Sequence, residues 1–98
     1  MGEHYKYKYS ITIHTDDLAV VNCLRALSAY SQKTGNNRIT WGNTKDSDWK
    51  RDNHRVTFRF TFSEYREGFM SEVIRLLPKE LWQEYARSNN DPAKPATK

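Results

Sequence analysis

The segment from His54 to Phe62 alternates strictly between apolar and polar residues. Its apolar positions are a valine and three phenylalanines, and arginine and threonine lie between them: Val56, Phe58, Phe60 and Phe62 alternate with Arg55, Thr57, Arg59 and Thr61. A period of two is typical of a β-strand that buries one face and exposes the other. The chain therefore needs a layer that covers the aromatic face, and the polar face is expected to meet solvent or a partner.

Two further segments show the same period. From Tyr5 to His14, tyrosines and isoleucines alternate with Lys6, Lys8 and other polar residues, which predicts a first strand. The segment from Arg38 to Trp41 alternates more briefly and predicts a second strand, so the phenylalanine-rich segment becomes the third. We interpret the polar stretch 42–53 between them as a hairpin connection that is partly extended.

Helical spacing of apolar residues follows the first and the third of these strands. The first predicted helix starts after Thr15, which can cap it, and ends near Lys33. A second helix begins at Ser63 and ends before Pro78, because proline interrupts the helical hydrogen bonds. Residues 79–88 place their apolar side chains on one side and predict a third, shorter helix.

The predicted order is strand, helix, strand, strand, helix, helix. This order predicts a small α+β sandwich of the ferredoxin-like, split βαβ type, with a three-stranded sheet and helices on one face. In that arrangement the second and third strands form an antiparallel hairpin, and the first strand lies parallel to the third. The first strand is then an exposed edge of the sheet, at which we expect a homodimer to form.

A chain of 98 residues is long enough for one hydrophobic core. We expect a single domain at 1–88 and a disordered tail at 89–98, where the composition is too polar to bury much surface. The lone Cys23 favours a reducing compartment, and no apolar run approaches the roughly 18 residues that span a bilayer. The sequence therefore predicts a cytoplasmic protein without a membrane partner.

The chain has a formal net charge of +4, with Lys+Arg 16 against Asp+Glu 12. If every helix covers the aromatic face, the opposite face of the sheet carries cations and hydroxyl groups and no carboxylate. We therefore predict a non-catalytic binding module that contacts nucleic-acid backbone or an acidic surface of a protein or nucleoprotein complex. A second candidate surface lies in the polar connection, around a tryptophan. The predicted binding residues are Lys6, Lys8, Arg38, Arg55, Arg59, Trp49, Lys50 and Arg51.

A structural interpretation accompanies each of these assignments. A solvated sheet face also uses threonine, lysine and arginine, and a tryptophan such as Trp49 more often anchors its own loop. Asp16 and Asp17 are ordinary acidic residues of a helix start. No histidine or cysteine spacing predicts a metal site, and no glycine-rich loop predicts a cofactor, so we expect neither.

Two other functions fit the sequence. A small inhibitor or regulator, of the type that phages and mobile elements carry, would act by occluding a larger machine through protein contacts. A metal-independent ribonuclease would use His14 and His54 as acid and base, with Arg59 binding phosphate. We rank the binding module first and predict no catalytic residue.

Overall fold

The computed structural model describes residues 6–31 and 45–92. In these ranges a small α+β fold combines a three-stranded antiparallel sheet with three α-helices. The predicted strand at 38–41, with Arg38, lies outside the described residues. The elements are β1 (Tyr9–His14), α1 (Leu18–Ser31), α2 (Asp46–Arg51), β2 (Arg55–Phe60), α3 (Ser63–Leu76), a 3-10 helix (Lys79–Leu81) and β3 (Gln83–Ser88).

β1 is the central strand of the sheet, whose order is β2-β1-β3, and it pairs antiparallel with both neighbours. The predicted parallel pairing of the first strand with the phenylalanine-rich strand is therefore wrong. The reason lies at the end of β1, where the Thr15 N–H donates to the His54 carbonyl over 3.0 Å. Because β2 begins beside the point at which β1 ends, β2 has to run in the opposite direction.

The position of β1 also corrects the predicted dimer. We expected the first strand to be an exposed edge, but β2 and β3 pair with both of its edges. A homodimer through the edge of the first strand therefore has no backbone groups with which to pair.

The apolar face of the sheet packs against α1 and α3. Phe69 of α3 lies against Phe58 and Phe60 of β2, with ring centroids 5.2 and 5.4 Å away. The predicted aromatic core face of the third strand is thus confirmed. The core residues of the sheet and the two helices are Ile11, Ile13, Val56, Phe58, Phe60, Val20, Val21, Leu24, Phe69, Met70 and Val73.

The first two predicted helices are confirmed, with a change at the start of α1. Asp17, and not Thr15, caps this helix, because its Oδ1 accepts the Ala19 N–H over 2.9 Å. α3 ends at Leu76, before Pro78, as expected. None of the helices in the described ranges has the length and apolar character needed to cross a membrane.

Residues 79–88 do not form the predicted third helix. They form the 3-10 helix and β3, whose pairing with β1 shifts register between Thr12 and Ile13. Thr12 pairs with Ala86 and Ile13 with Glu84, so Tyr85 is the extra residue of a β-bulge. The bulge interrupts the period of two, and the apolar residues then show a spacing that resembles that of a helix.

α2 lies within the polar stretch that we interpreted as an extended connection. Acidic residues in its first turn and basic residues in its last turn complement the helix dipole. The Lys45 N–H donates to the Asp48 side chain over 3.1 Å, and Arg51 pairs with the same aspartate over 2.9 Å. These local charge contacts, together with the buried Trp49, stabilise a helix without an apolar repeat.

Thr15 joins the end of β1 to the starts of α1, β2 and β3 and to the interior of α2, and it is almost fully buried. Its N–H donates to the His54 carbonyl before β2, and its Oγ1 donates to the Leu81 carbonyl before β3 over 2.6 Å. Its carbonyl accepts the Trp49 Nε1–H of α2 over 2.7 Å. The Asp17 N–H before α1 donates to the Thr15 Oγ1 over 3.2 Å. One residue thereby fixes the corner at which the strands and helices meet.

We predict that Thr15→Val lowers the free energy of unfolding by about 1–3 kcal/mol, because at this almost fully buried residue the Leu81 carbonyl loses its donor and the Asp17 N–H loses its acceptor. The matched control is Thr12→Val, which removes a hydroxyl that bonds only to the Thr57 hydroxyl on the half-buried sheet face. Valine suits a strand, so we expect this control to cost less than about 1 kcal/mol. Urea denaturation measures both values, and equal losses would contradict the role of Thr15.

Candidate anion-binding face

The sheet face opposite α1 and α3, called the open face below, carries the polar residues of β1 and β2. Cross-strand pairs join His14 to Arg55, Thr12 to Thr57 and Ser10 to Arg59. β3 adds Tyr85, whose ring lies against Arg55. The alternation predicted for the polar face is therefore present in these strands. Tyr85, which we predicted to lie in a helix, adds an aromatic ring to the open face.

Arg59 is already neutralised by the protein itself. Its Nε donates to the Asp91 carbonyl over 2.8 Å and its Nη2 to the Asp91 carboxylate over 3.1 Å, and its side chain is only 13% exposed. The Asp91 N–H donates to the Lys8 carbonyl over 2.8 Å. This aspartate belongs to the segment for which we predicted a disordered tail. Arg59 is consequently removed from the cations that are available to a partner.

Arg55 differs from the other arginines in the described ranges. It is the one of the seven that makes no ion pair, whereas a carboxylate lies within 4.0 Å of each of the others. Its Nε is buried and has no hydrogen-bond partner. Its guanidinium carbon lies 3.8 Å from the centre of the Tyr85 ring, a cation–π contact that orients the charge without neutralising it.

A shallow cavity of about 380 Å³ surrounds this guanidinium on the open face. Thr12 and Thr57 line it, and their hydroxyl oxygens lie 2.8 Å apart, so one hydroxyl donates to the other and a second proton stays available. A guanidinium beside a free hydroxyl donor is suited to the oxygens of a phosphate or a carboxylate. We call Arg55, Thr12, Thr57 and Tyr85 the Arg55 site.

The remaining predicted cations are dispersed. Lys6 and Lys8 precede β1 and belong to no strand, and the Lys8 Nζ lies 5.7 Å from the centre of the Tyr9 ring. Lys50 is exposed on α2. Arg51 borders the Arg55 site but pairs with Asp48 and Asp52, and the hydrogen bond to Asp52 raises its pKa above the ordinary value. Among the two arginines of the open face, Arg55 is therefore the one without an ion pair.

Trp49 is an anchor and not an exposed contact. The side chain is buried, its Nε1–H donates to the Thr15 carbonyl, and its ring stacks on His54 with centroids 4.2 Å apart. The interpretation of Trp49 as a residue that fixes its own loop is confirmed, and the second candidate surface loses its central aromatic residue.

His14 and His54 meet at one carboxylate at the edge of the open face. The His54 Nδ1 lies 2.8 Å from the Asp16 Oδ1, and the His14 Nε2 lies 3.5 Å from the same oxygen. Since an ionised carboxylate only accepts, the His54 Nδ1 carries the proton and its Nε2 faces away from Asp16. Asp16 therefore does not belong to the capping of α1, where we had placed it, and Asp17 alone has that role.

The backbone at this cluster is unusual. Asn53 and His54 adopt φ angles of 59° and 64°, a left-handed conformation that is costly for histidine. Hydrogen bonds hold it, since the His54 N–H donates to the Trp49 carbonyl over 2.8 Å and its carbonyl accepts from Thr15. The position of the imidazole is thus determined by stacking, by the backbone and by Asp16 together.

Within residues 6–31 and 45–92, no group of three or more histidine, cysteine, aspartate or glutamate side chains is arranged to hold a metal ion. Comparisons with known proteins give no relative: no protein-family model matches the chain, and no curated protein or solved structure matches it.

The hydrogen bond from His54 lowers the pKa of Asp16 below its ordinary value of 3.8. We predict that His54→Ala raises the Asp16 pKa towards that value and that His14→Ala raises it less, because the His14 nitrogen is further away. Carboxyl NMR titration measures both shifts. A larger effect of His14→Ala would contradict the geometry.

The same pKa sets a pH dependence of stability. A folded-state pKa that is lowered stabilises the protein above the pKa of the unfolded chain, and this contribution disappears as the pH falls through the folded value. We therefore expect wild type to be more stable than Asp16→Asn near pH 6 (about two units above the carboxyl pKa). The two free energies of unfolding should converge under strong acid. A difference that grows on acidification would contradict this assignment.

Proposed function

We propose that the protein is a non-catalytic binding module that contacts an anionic partner through the open face of its sheet, with Arg55 as the central contact. The observation that carries the proposal is the missing ion pair at Arg55, in a part of the chain where each of the other arginines has one. A half-buried guanidinium without a counter-charge is costly to folding, and a bound anion offsets that cost.

Nucleic acid is the anionic partner that the surroundings of Arg55 favour. Arginine and hydroxyl donors suit phosphate oxygens, and the Tyr85 ring is 57% exposed beside them, where it offers a surface on which a base can stack. Because β3 brings this ring to the open face, single-stranded RNA or DNA is the leading class of partner.

We predict that Arg55→Gln weakens binding to single-stranded RNA or DNA by roughly tenfold to a hundredfold, since it removes charge-assisted hydrogen bonds. The slope of log affinity against log salt should become shallower by about 1, the loss of one phosphate contact. Fluorescence anisotropy over a salt series measures both quantities.

The matched control is Arg75→Gln. This arginine is exposed on α3, pairs with Glu72, and belongs to a helix on the other side of the sheet. We expect its affinity to stay within about twofold of wild type, because screened charges at a distance contribute little. Equal losses in the two variants would refute a site at Arg55.

The same assay separates the other partners. Salt-sensitive binding to polyglutamate, without binding to nucleic acid, would replace the nucleic-acid partner by an acidic protein surface. Absence of binding to both polymers, together with a stoichiometric protein complex that Arg55→Gln leaves intact, would favour the occluding inhibitor and refute the proposal.

A second candidate function is RNA cleavage, which the shared contact of His14 and His54 with Asp16 favours. His14 is the cross-strand partner of Arg55, so the two imidazoles lie beside the proposed phosphate contact. One histidine would take the proton of a ribose 2′-OH while O2′ attacks phosphorus. The P–O5′ bond breaks, the other histidine, protonated, gives its proton to O5′, and a 2′,3′-cyclic phosphate forms. Arg55 would stabilise the charge on phosphorus-bound oxygens.

This candidate predicts cleavage of single-stranded RNA in the presence of EDTA, loss of cleavage in His54→Ala, and no cleavage of DNA, which lacks the 2′-OH. Gel analysis of end-labelled RNA measures it. If purified protein leaves RNA intact, or if His54→Ala cleaves as fast as wild type, the catalytic candidate is excluded and the binding module stands alone.

A further inference from the structure

The outer edge of β3 has no partner strand among the described residues. All six residues of β3 are exposed or half-buried. Beside this edge, Met70 and Ile74 of α3 and Trp82 line a groove of about 390 Å³, and Ile74 is 56% exposed. An edge strand next to exposed apolar side chains is a surface at which another strand can add to the sheet.

The bulge at Tyr85 gives β3 an unusual distribution of its side chains between the two faces. Glu84 and Arg87 pair with the core residues Ile13 and Ile11, and therefore lie on the helix side of the sheet. The four other residues of β3 lie on the open face, as their partners in β1 and the contact of Tyr85 with Arg55 indicate: Gln83, Tyr85, Ala86 and Ser88. From residue 83 to residue 88 the side chains therefore lie on the open face, the helix side, the open face, the open face, the helix side and the open face. This order is the same when the strand is followed in the opposite direction.

We propose that this edge binds a second copy of the chain, so that the two β3 strands pair antiparallel around a two-fold axis between Tyr85 and Ala86. In this register Glu84 lies opposite Arg87 of the second copy, and both are on the helix side. Tyr85 lies opposite Ala86 and Gln83 opposite Ser88, all on the open face. The two residues of every pair lie on the same face, and each of the two charged pairs joins opposite charges, which selects a second copy as the occupant.

The groove beside the edge supports the same occupant. In the two-fold arrangement the groove of one copy, with Ile74 and Trp82, faces the groove of the other, so each covers the exposed apolar side chains of its partner. Within one chain, Arg87 already bonds to Glu84 and to Glu67 of α3, over 2.9 and 2.7 Å. These contacts hold the guanidinium at the edge, where the carboxylate of the second copy would meet it.

Dimerisation also extends the open face, a consequence that rests on the proposed function. The dimer has a continuous sheet in the order β2-β1-β3-β3-β1-β2, with an Arg55 site in each half. Five strand spacings of about 4.8 Å separate the two β2 strands by roughly 24 Å. Two such sites suit an extended anionic polymer better than a small anion.

Analytical ultracentrifugation of the full chain tests the dimer without any ligand, so its outcome is independent of the anion proposal. We expect a reversible dimer in the micromolar range. Glu84→Arg and Arg87→Glu each place like charges opposite one another twice, and each should weaken dimerisation by at least about tenfold. An equimolar mixture of the two variants restores opposite charges in every pair and should form a heterodimer.

The control is Glu72→Arg, which makes the same charge change as Glu84→Arg but lies on α3. Glu72 lines a different cavity, together with Tyr30 and Tyr65. It should dimerise as wild type does. Circular dichroism verifies that the variants are folded, and only the mixing result distinguishes pairing at the edge from a loss of local structure. A monomeric wild type, or two variants that do not associate on mixing, would overturn the proposal.

Discussion

Thr15 is the residue on which the arrangement of the sheet depends. Its backbone and side-chain groups bond to the residues that precede β2 and β3, and it also accepts hydrogen bonds from the start of α1 and from α2. Both neighbours of β1 therefore start where β1 ends, and both run antiparallel to it. The antiparallel pairing that Thr15 fixes determines which residues share the open face, including its cations and His14.

The charges of the open face show why an excess of cationic residues along a strand is an incomplete guide to a binding site. Arg55 and Arg59 are four residues apart on the same face of one strand and look equivalent in the sequence. Asp91 pairs with Arg59, whereas Arg55 lies beside an aromatic ring and two hydroxyl groups and makes no ion pair, although Asp52 lines the same cavity. The partner of each arginine, and not its place in the pattern, determines which of them is available to an anion.

Local patterns predicted much of the fold. The alternation around Phe58 gave a correct core face, and the apolar stripe that includes Leu24 gave a correct helix, because both patterns report burial directly. The pairing of strands and the true nature of residues 79–88 were not predictable, since they depend on contacts between distant residues and on a bulge at Tyr85. The contacts of Asp91 and Asp16 with Arg59 and His54 have no local signal either.

Arg55 is proposed to carry the charge that this protein offers to a partner. The most direct measurement follows the side-chain Nε–H resonances of the arginines by NMR while a short single-stranded oligonucleotide is added. We expect the Arg55 resonance to shift and its exchange with water to slow, whereas the resonance of Arg59, held by Asp91, stays in place. Saturating shifts at other arginines, with Arg55 unaffected, would contradict it.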